Sequence, residues 1–210
     1  LEPDLSTKFN NALFFKNEGH LTPRDALKKI YLNLKNNGVC IKNKRQNKNY
    51  DFTIDCRGLA AKDTLKDLRG VKGEMLVLKN EEINLKRPIR LLHPRIPIYI
   101  VPRGDGYFMV GATMIENDER KRPTVRSVFE LLSSAYSVNS SFGEAEIIEI
   151  GVDARPAFAD NIPRIRRREK IIFLNGLFRH GFLLAPSMAK MVADYIFKNK
   201  KPEVMDENLC

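Results

Sequence analysis

The sequence predicts an α+β fold with a mixed or antiparallel sheet. Three observations carry that reading: strand-like runs are separated by segments of helical period, a hairpin occupies the middle of the chain, and no G-x-G-x-x-G turn marks a dinucleotide fold. The nearest approach to that turn, Gly104-Asp105-Gly106, lacks the third glycine and falls in the hairpin. With 210 residues, 43% hydrophobic and 30% charged, the chain is long enough for one or two domains and too apolar for disorder.

The first element is a helix over 22–37. Thr22 supplies an N-cap hydroxyl, Pro23 suits N1 and Asp25 sits at N3; Leu27, Ile30, Tyr31 and Leu34 then recur on one face until Gly38. Val39–Ile41 reads as a short strand, Lys42–Asn49 as a polar basic turn, and Phe52–Cys56 as a buried strand running into Arg57-Gly58. From Pro97, IYIVP, a glycine-bearing turn and YFMVGATM make a hairpin. Thr124 caps a second helix whose apolar stripe is Val125, Val128, Phe129 and Leu132, and Ala145–Ile150 is a strand leading to Gly151-Val152-Asp153-Ala154-Arg155. After a proline- and arginine-rich loop come a strand at Ile171–Leu174, a loop at Asn175–Gly181, and a helix opening near Pro186 with Met188, Met191, Val192 and Tyr195 at helical spacing. The charged tail from Lys198 is expected to fray.

The net charge of +10 raises the question of an anionic partner. The positive charge is spread, and its densest run, Arg164 with Arg166, Arg167 and Arg168, has no interleaved aromatic residue for base stacking. It reads as a solvated loop, so no nucleic-acid partner is expected. Cys40, Cys56 and Cys210 lie too far apart in sequence for a C-x-x-C pair, so neither a metal site nor a disulfide framework is expected. No apolar run approaches the ~20 residues needed to span a bilayer. A soluble, cytoplasmic protein without a membrane partner is the expectation, and the first residue, Leu1, is no initiator methionine.

The last strand, loop and helix carry the chemical interest. A strand ending at Gly176, a return at Gly181 and a helix start aim backbone N–H groups and a positive dipole end at one place, which suits a phosphate, a carboxylate or the oxygen edge of a reduced flavin. The segment GLFRHGFLLAPSMAKMVADYI, from Gly176, resembles the flavin motif of the glycine oxidase and D-amino acid oxidase family. LRGVKGEMLVL at Leu68–Leu78, PIYIVPRGDGYFMVGATM from Pro97, GVDARPAFADNIPRI from Gly151 and EGHLTPRDALKKI from Glu18 match it in order and spacing. Within the family the thiamine-pathway glycine oxidases are the most similar.

The resemblance implies FAD as cofactor and a layout of 1–58 as partial FAD-domain segments, including helix 22–37 and strand 52–56. Residues 59–150 would form an antiparallel substrate-binding sheet, 151–198 the C-terminal strand-loop-helix of the FAD-binding domain, and 199–210 a charged tail. It implies that Arg155, which stands where the family has the arginine of its G-x-R-P, pairs with the substrate carboxylate, where a planar guanidinium suits a carboxylate better than an ammonium does. Arg179 and Tyr99 would assist. Leu177, Phe178, Arg179, His180, Gly181, Phe182 and Leu183 would face the flavin. From the residues alone, Arg155 can equally be an ordinary ion pair with Asp153 or Asp160, Tyr99 can be packing, Met114 reads as core, and His180 and His93 as structural. The implied reaction oxidises glycine or a similar small amine to the imine, with oxygen as acceptor, and serves thiazole formation in thiamine biosynthesis. Against it stands the missing amino-terminal nucleotide-binding half. The chain is therefore expected to act with that half or as a homo-oligomer, and the alternative is an incomplete fragment or split subunit that works as a binding module.

Overall fold

The computed structural model describes residues 1–44 and 49–206, so part of the basic turn at Lys42–Asn49, and Cys210, lie outside the described residues. The chain divides into two compact units. One comprises 1–22, 72–115 and 119–153; the other comprises 23–71, 116–118 and 154–210.

The first unit is built on a five-stranded sheet in the order β3-β4-β5-β2-β6, with β2 at Arg69–Lys79, β3 at Ile89–Leu91, β4 at Ile98–Pro102, β5 at Tyr107–Gly111 and β6 at Glu146–Ala157. The expected hairpin is β4-β5: Ile100 faces Val110 across an antiparallel ladder, and Tyr107 N donates to Gly104 O at 2.9 Å to close the turn. Alternation along β2 sends Leu76 and Leu78 to the core with Ile98, Ile100, Phe108 and Val110. They meet Leu131, Ala135 and Val138 of helix α2, Val125–Val138, and Phe142, whose ring stands edge-on to Phe108 at 5.4 Å. Thr124 caps α2 as expected, its hydroxyl accepting from Ser127 N. The buried stripe is not the expected one. Val128 and Leu132 reach the core edge, but Val125 and Phe129 are 89% and 70% exposed. The helix is apolar on two sides, and Leu131, Ala135 and Val138 form the side that meets the sheet. The strand expected to end at Ile150 continues to Ala157.

A buried ion pair ties α2 to β2. Lys72 Nζ lies 3.0 Å from Glu74 Oε1 and 2.9 Å from Glu119 Oε2, and Glu74 Oε2 accepts from Thr124 N at 3.0 Å. Glu74 is fully buried, so its charge is tolerated only because Lys72 and the helix start meet it.

In the second unit a three-stranded mixed sheet has the order β1-β8-β7, with β1 at Thr53–Asp55, β7 at Arg164–Arg168 and β8 at Ile171–Asn175; β8 runs parallel to β1 and antiparallel to β7. Helix α3, Gly181–Lys198, covers one face through Met188 and Val192 on Ile165 and Ile172, while Phe158, Ala61, Leu65 and Leu68 pack about Phe173. The arginine run expected to be a solvated loop is strand β7. Arg166 is buried, held by Asp67 (2.7 Å) and Asp206 (2.7 Å), and its guanidinium stacks 4.8 Å from the Phe158 ring centre. Strand pairing with β8 and two carboxylates override the polarity of the run. The tail does not fray through Asp206, whose N–H donates to Ile165 O at 2.9 Å while its carboxylate takes Arg164 and Arg166. Helix α1, Pro23–Asn36, forms as expected but buries none of its residues. Val39–Ile41 is not a strand: no described strand pairs with it, and a ladder needs a partner.

Candidate functional site

β8 ends in Asn175, whose buried side chain does two jobs. Its Nδ2 donates to Gly58 O at 2.9 Å, and its Oδ1 accepts from Gly176 N at 2.8 Å. The turn that follows is left-handed at Gly176 (φ 79°) and again at Phe178 (φ 49°). Glycine is required at the first position, because a Cβ there would come within 2.3 Å of Phe158. At the second, Phe178 N donates to Pro156 O at 3.0 Å, which fastens the turn to β6. The left-handed conformation costs a non-glycine residue about 1–2 kcal/mol, so this bond and the surrounding packing hold a shape the chain would not choose alone.

His180 N closes the turn on Leu177 O at 2.9 Å, and Leu184 N donates to His180 O at 2.8 Å as α3 begins. Helix α3 therefore starts at Gly181, five residues before the expected start at Pro186. Pro186 sits in the second turn, where its ring φ suits the helix and its missing N–H forfeits one bond, to the Phe182 carbonyl. The amides of Gly181, Phe182 and Leu183 precede the helical ladder and carry the positive end of the helix dipole.

Arg155 lies half-buried on β6 next to Pro156. The structure thus brings Arg155 and the 176–183 turn together in one unit through the Phe178-to-Pro156 bond, with Arg179 exposed on the turn. Around it on the same stretch of chain, Arg120 donates to both oxygens of Asp153 (2.5 and 3.2 Å) and Arg164 to Asp160 at 2.9 Å. Nearby, Arg57 forks onto Asp55 and Asp63, which holds the Asp63 carboxyl below its ordinary range.

Tyr99 belongs to the other unit. It pairs with Gly111 in the β4-β5 register, and a Cβ on Gly111 would stand 2.5 Å from the Tyr99 hydroxyl oxygen, so the glycine keeps the ring in place. Met114, expected in the core, is half exposed, because β5 has already ended at Gly111. His93 is a loop-fastening residue, its Nδ1 accepting from Arg95 N and Ile96 N.

Sequence reasoning missed the supports of the turn. Asn175 was visible only as the Asn of a strand-ending Asn-Gly, and its partner Gly58 lies 117 positions away. Phe158 had no periodic pattern to mark it as the ring under both Gly176 and Arg166. Among the described residues no group of His, Cys, Asp and Glu could hold a metal ion.

Residues 1–195 match the family of FAD dependent oxidoreductases designated DAO. The chain is 48% identical over 196 residues to a Rhizobium etli protein named as a thiamine biosynthesis oxidoreductase, ThiO, covering 92% of this chain and 60% of that protein. It is 37% identical over 132 residues to a glycine oxidase of Bacillus licheniformis, which is 61% of this chain and 35% of the relative. A glycine oxidase structure from Bacillus cereus superposes with a TM-score of 0.60 at 26% identity, over 69% of this chain and 41% of the other. The chain thus spans less than two thirds of the length of these relatives. From the match over nearly its whole length, the chain belongs to the DAO family of FAD-dependent oxidoreductases.

Proposed function

We propose that this chain is the substrate-binding and flavin-facing part of an oxidase that converts glycine or a similar small amine to its imine, with oxygen as acceptor and peroxide as product. The observation that carries the reading is the hydrogen bond from Phe178 N to Pro156 O, which fixes a helix mouth of free amides beside a half-buried arginine. An amino acid offers a carboxylate for the arginine, and a flavin ring offers an electron-rich oxygen edge for the amides. The R. etli relative's name supports a place in thiamine biosynthesis, where the imine feeds thiazole formation.

The residues present fit one end of FAD. Gly181, Phe182 and Leu183 supply N–H donors at the start of an 18-residue helix. The chain holds no G-x-G-x-x-G turn for the pyrophosphate, so the nucleotide end is supplied by sequence of the kind the longer relatives carry. FAD, when bound, accepts the two electrons of amine oxidation. Arg155 pairs with the substrate carboxylate and sets its orientation, and Arg179 assists. Amides from Leu177 to Leu183 stabilise negative charge, with the α3 dipole adding to them. On this reading the second unit holds both the flavin-facing turn and the arginine that takes the substrate carboxylate.

Replacing Arg155 by Met in the flavin-loaded protein removes a charge-assisted pair of about 1.5–3 kcal/mol, so the glycine KM should rise about 10- to 100-fold with a smaller change in kcat. An unchanged KM would overturn the assignment. The second reading, a binding module that is catalytically incomplete alone, is favoured by the 60% coverage of the R. etli relative. It predicts a chain that retains no flavin by itself.

A further inference from the structure

The first unit holds a cavity of about 720 Å³ at the turn end of the β4-β5 hairpin. Small-molecule sites ordinarily span roughly 300–1,000 Å³, so this one has room for a ligand of modest size. The segment that follows β2, the hairpin turn itself, and His20 with Thr22 line it, and all of these residues belong to the one unit. Ile83, Leu85 and Phe108, each buried in the core of that unit, give the lining its apolar part.

Arg103, half-buried in this lining, is held differently from the other buried or half-buried cations of the fold. Lys72, Arg69 and Arg166 each meet a carboxylate within 3.0 Å. Arg103 instead meets a carbonyl and a thioether: its Nη1 donates to Leu21 O at 2.5 Å and its Nη2 to Met109 Sδ at 3.6 Å. No carboxylate among the described residues pairs with it, and a guanidinium has more donors than these contacts use. Burial accordingly pushes the Arg103 pKa down from its ordinary value, whereas hydrogen bonds to Asp67 and Asp206 raise that of Arg166. A half-buried cation with unused donors is costly unless an anion meets it.

The same turn offers further donors. Gly104, Asp105 and Gly106 have left-handed φ of 87°, 49° and 71°, and none of their amides donates a hydrogen bond among the described residues. Successive N–H groups in such turns make anion-binding concavities. Lys86 and His20, both exposed, add an ammonium and an imidazole to the lining, and no described carboxylate holds either. Together these donors exceed the roughly four acceptor positions of a carboxylate, and they suit the additional oxygen of a phosphate. Of the acids in the lining, Glu81 is taken by Lys79 at 2.9 Å, while Asp105 has no ion pair among the described residues. Asp105 repels a bare anion but accepts from a hydroxyl, so it favours a phosphate carried on a hydroxylated molecule.

We propose that this cavity binds a small hydroxylated phosphate monoester, with the phosphate on Arg103, Lys86 and the amides of residues 104–106 and a hydroxyl on Asp105. The site lies wholly in the first unit and goes beyond the amine oxidation, since it uses neither Arg155 nor the flavin-facing turn.

The test titrates the full, isotope-labelled chain with glycerol phosphate and follows its amide resonances. Saturable shifts should appear at 20–22, 83–86 and 102–108, and glycerol alone should produce none. Inorganic phosphate, which lacks the hydroxyl for Asp105, should bind about threefold more weakly or worse. Arg103→Gln should weaken glycerol phosphate binding by about tenfold or more, and Lys86→Gln by about threefold. Lys86 is exposed and its ammonium has no partner to lose, so that variant keeps the test sharp even if Arg103→Gln disturbs the turn. Glycerol phosphate that produces no saturable shifts overturns the proposal. So do shifts centred on 181–183, which would assign the anion to the start of α3. Acetate or inorganic phosphate binding as tightly as the ester would likewise overturn it, by showing a generic anion site.

Discussion

At the scale of single residues, the turn after β8 depends on side chains that touch nothing catalytic. Gly176→Ala forces a Cβ to 2.3 Å from Phe158 at a backbone φ of 79°, and the expected loss is about 3 kcal/mol of stability in denaturant titration. Asn175→Ala leaves Gly58 O and Gly176 N without their side-chain partners. The expected cost is about 1–3 kcal/mol, with faster amide exchange confined at first to the turn. A wild-type exchange pattern in that variant would show that the turn is held by Phe178 and Pro156 alone. What the sequence showed here was uneven. Arg155, Arg179 and the glycines stood out because they sit in a short motif, whereas Phe158 and Gly58 act through folding contacts that no local spacing encodes.

At the scale of elements, β7 and α2 mark where local pattern misleads. Five residues of β7, four of them arginine, read as a solvated run, yet strand pairing with β8 leaves Arg166 facing Asp67, Asp206 and the Phe158 ring. Arg166→Met strips that charge from between two carboxylates, and breaking a pair of this burial costs about 3 kcal/mol. The melting transition should fall, and the tail through Asp206 should lose its protection first. Tail protection unchanged in Arg166→Met would contradict the ion-pair account of its docking. Helix α2 was located by its Thr124 cap, but its hydrophobic pattern fits two stripes, and only the sheet decides that Leu131, Ala135 and Val138 are the inner one. The hairpin β4-β5 was legible throughout because its strand period and turn glycines agree. Val39–Ile41 had strand composition but no ladder partner among the described strands.

At the scale of the whole molecule, acid should expose how much the fold leans on carboxylates. Lys72 and backbone amides hold Glu119 down to about 2, and Lys190 with Lys198 holds Asp194 down to about 2. A carboxyl whose folded pKa is depressed contributes stability that is complete above its unfolded value and is lost as pH falls through the folded one. The midpoint of thermal unfolding should therefore fall between pH 4.5 and about 2, and Glu119→Gln should flatten part of that fall. A pH-independent midpoint over that window would contradict the ion-pair assignments. No helix among the described residues is long and apolar enough to cross a membrane. Two of the cations behind the net charge of +10, Lys72 and Arg166, are buried in ion pairs.

The central claim is that residues 155 and 177–183 face a flavin and a small amino acid. It is tested most directly by joining this chain to the unmatched region of the R. etli relative, loading the product with FAD and adding glycine without oxygen. The account predicts a yellow protein whose visible flavin absorbance bleaches on glycine addition and returns when oxygen is admitted, with bleaching shifted to higher glycine in Arg155→Met. A protein that holds flavin but is bleached by neither glycine nor another small amine would contradict it.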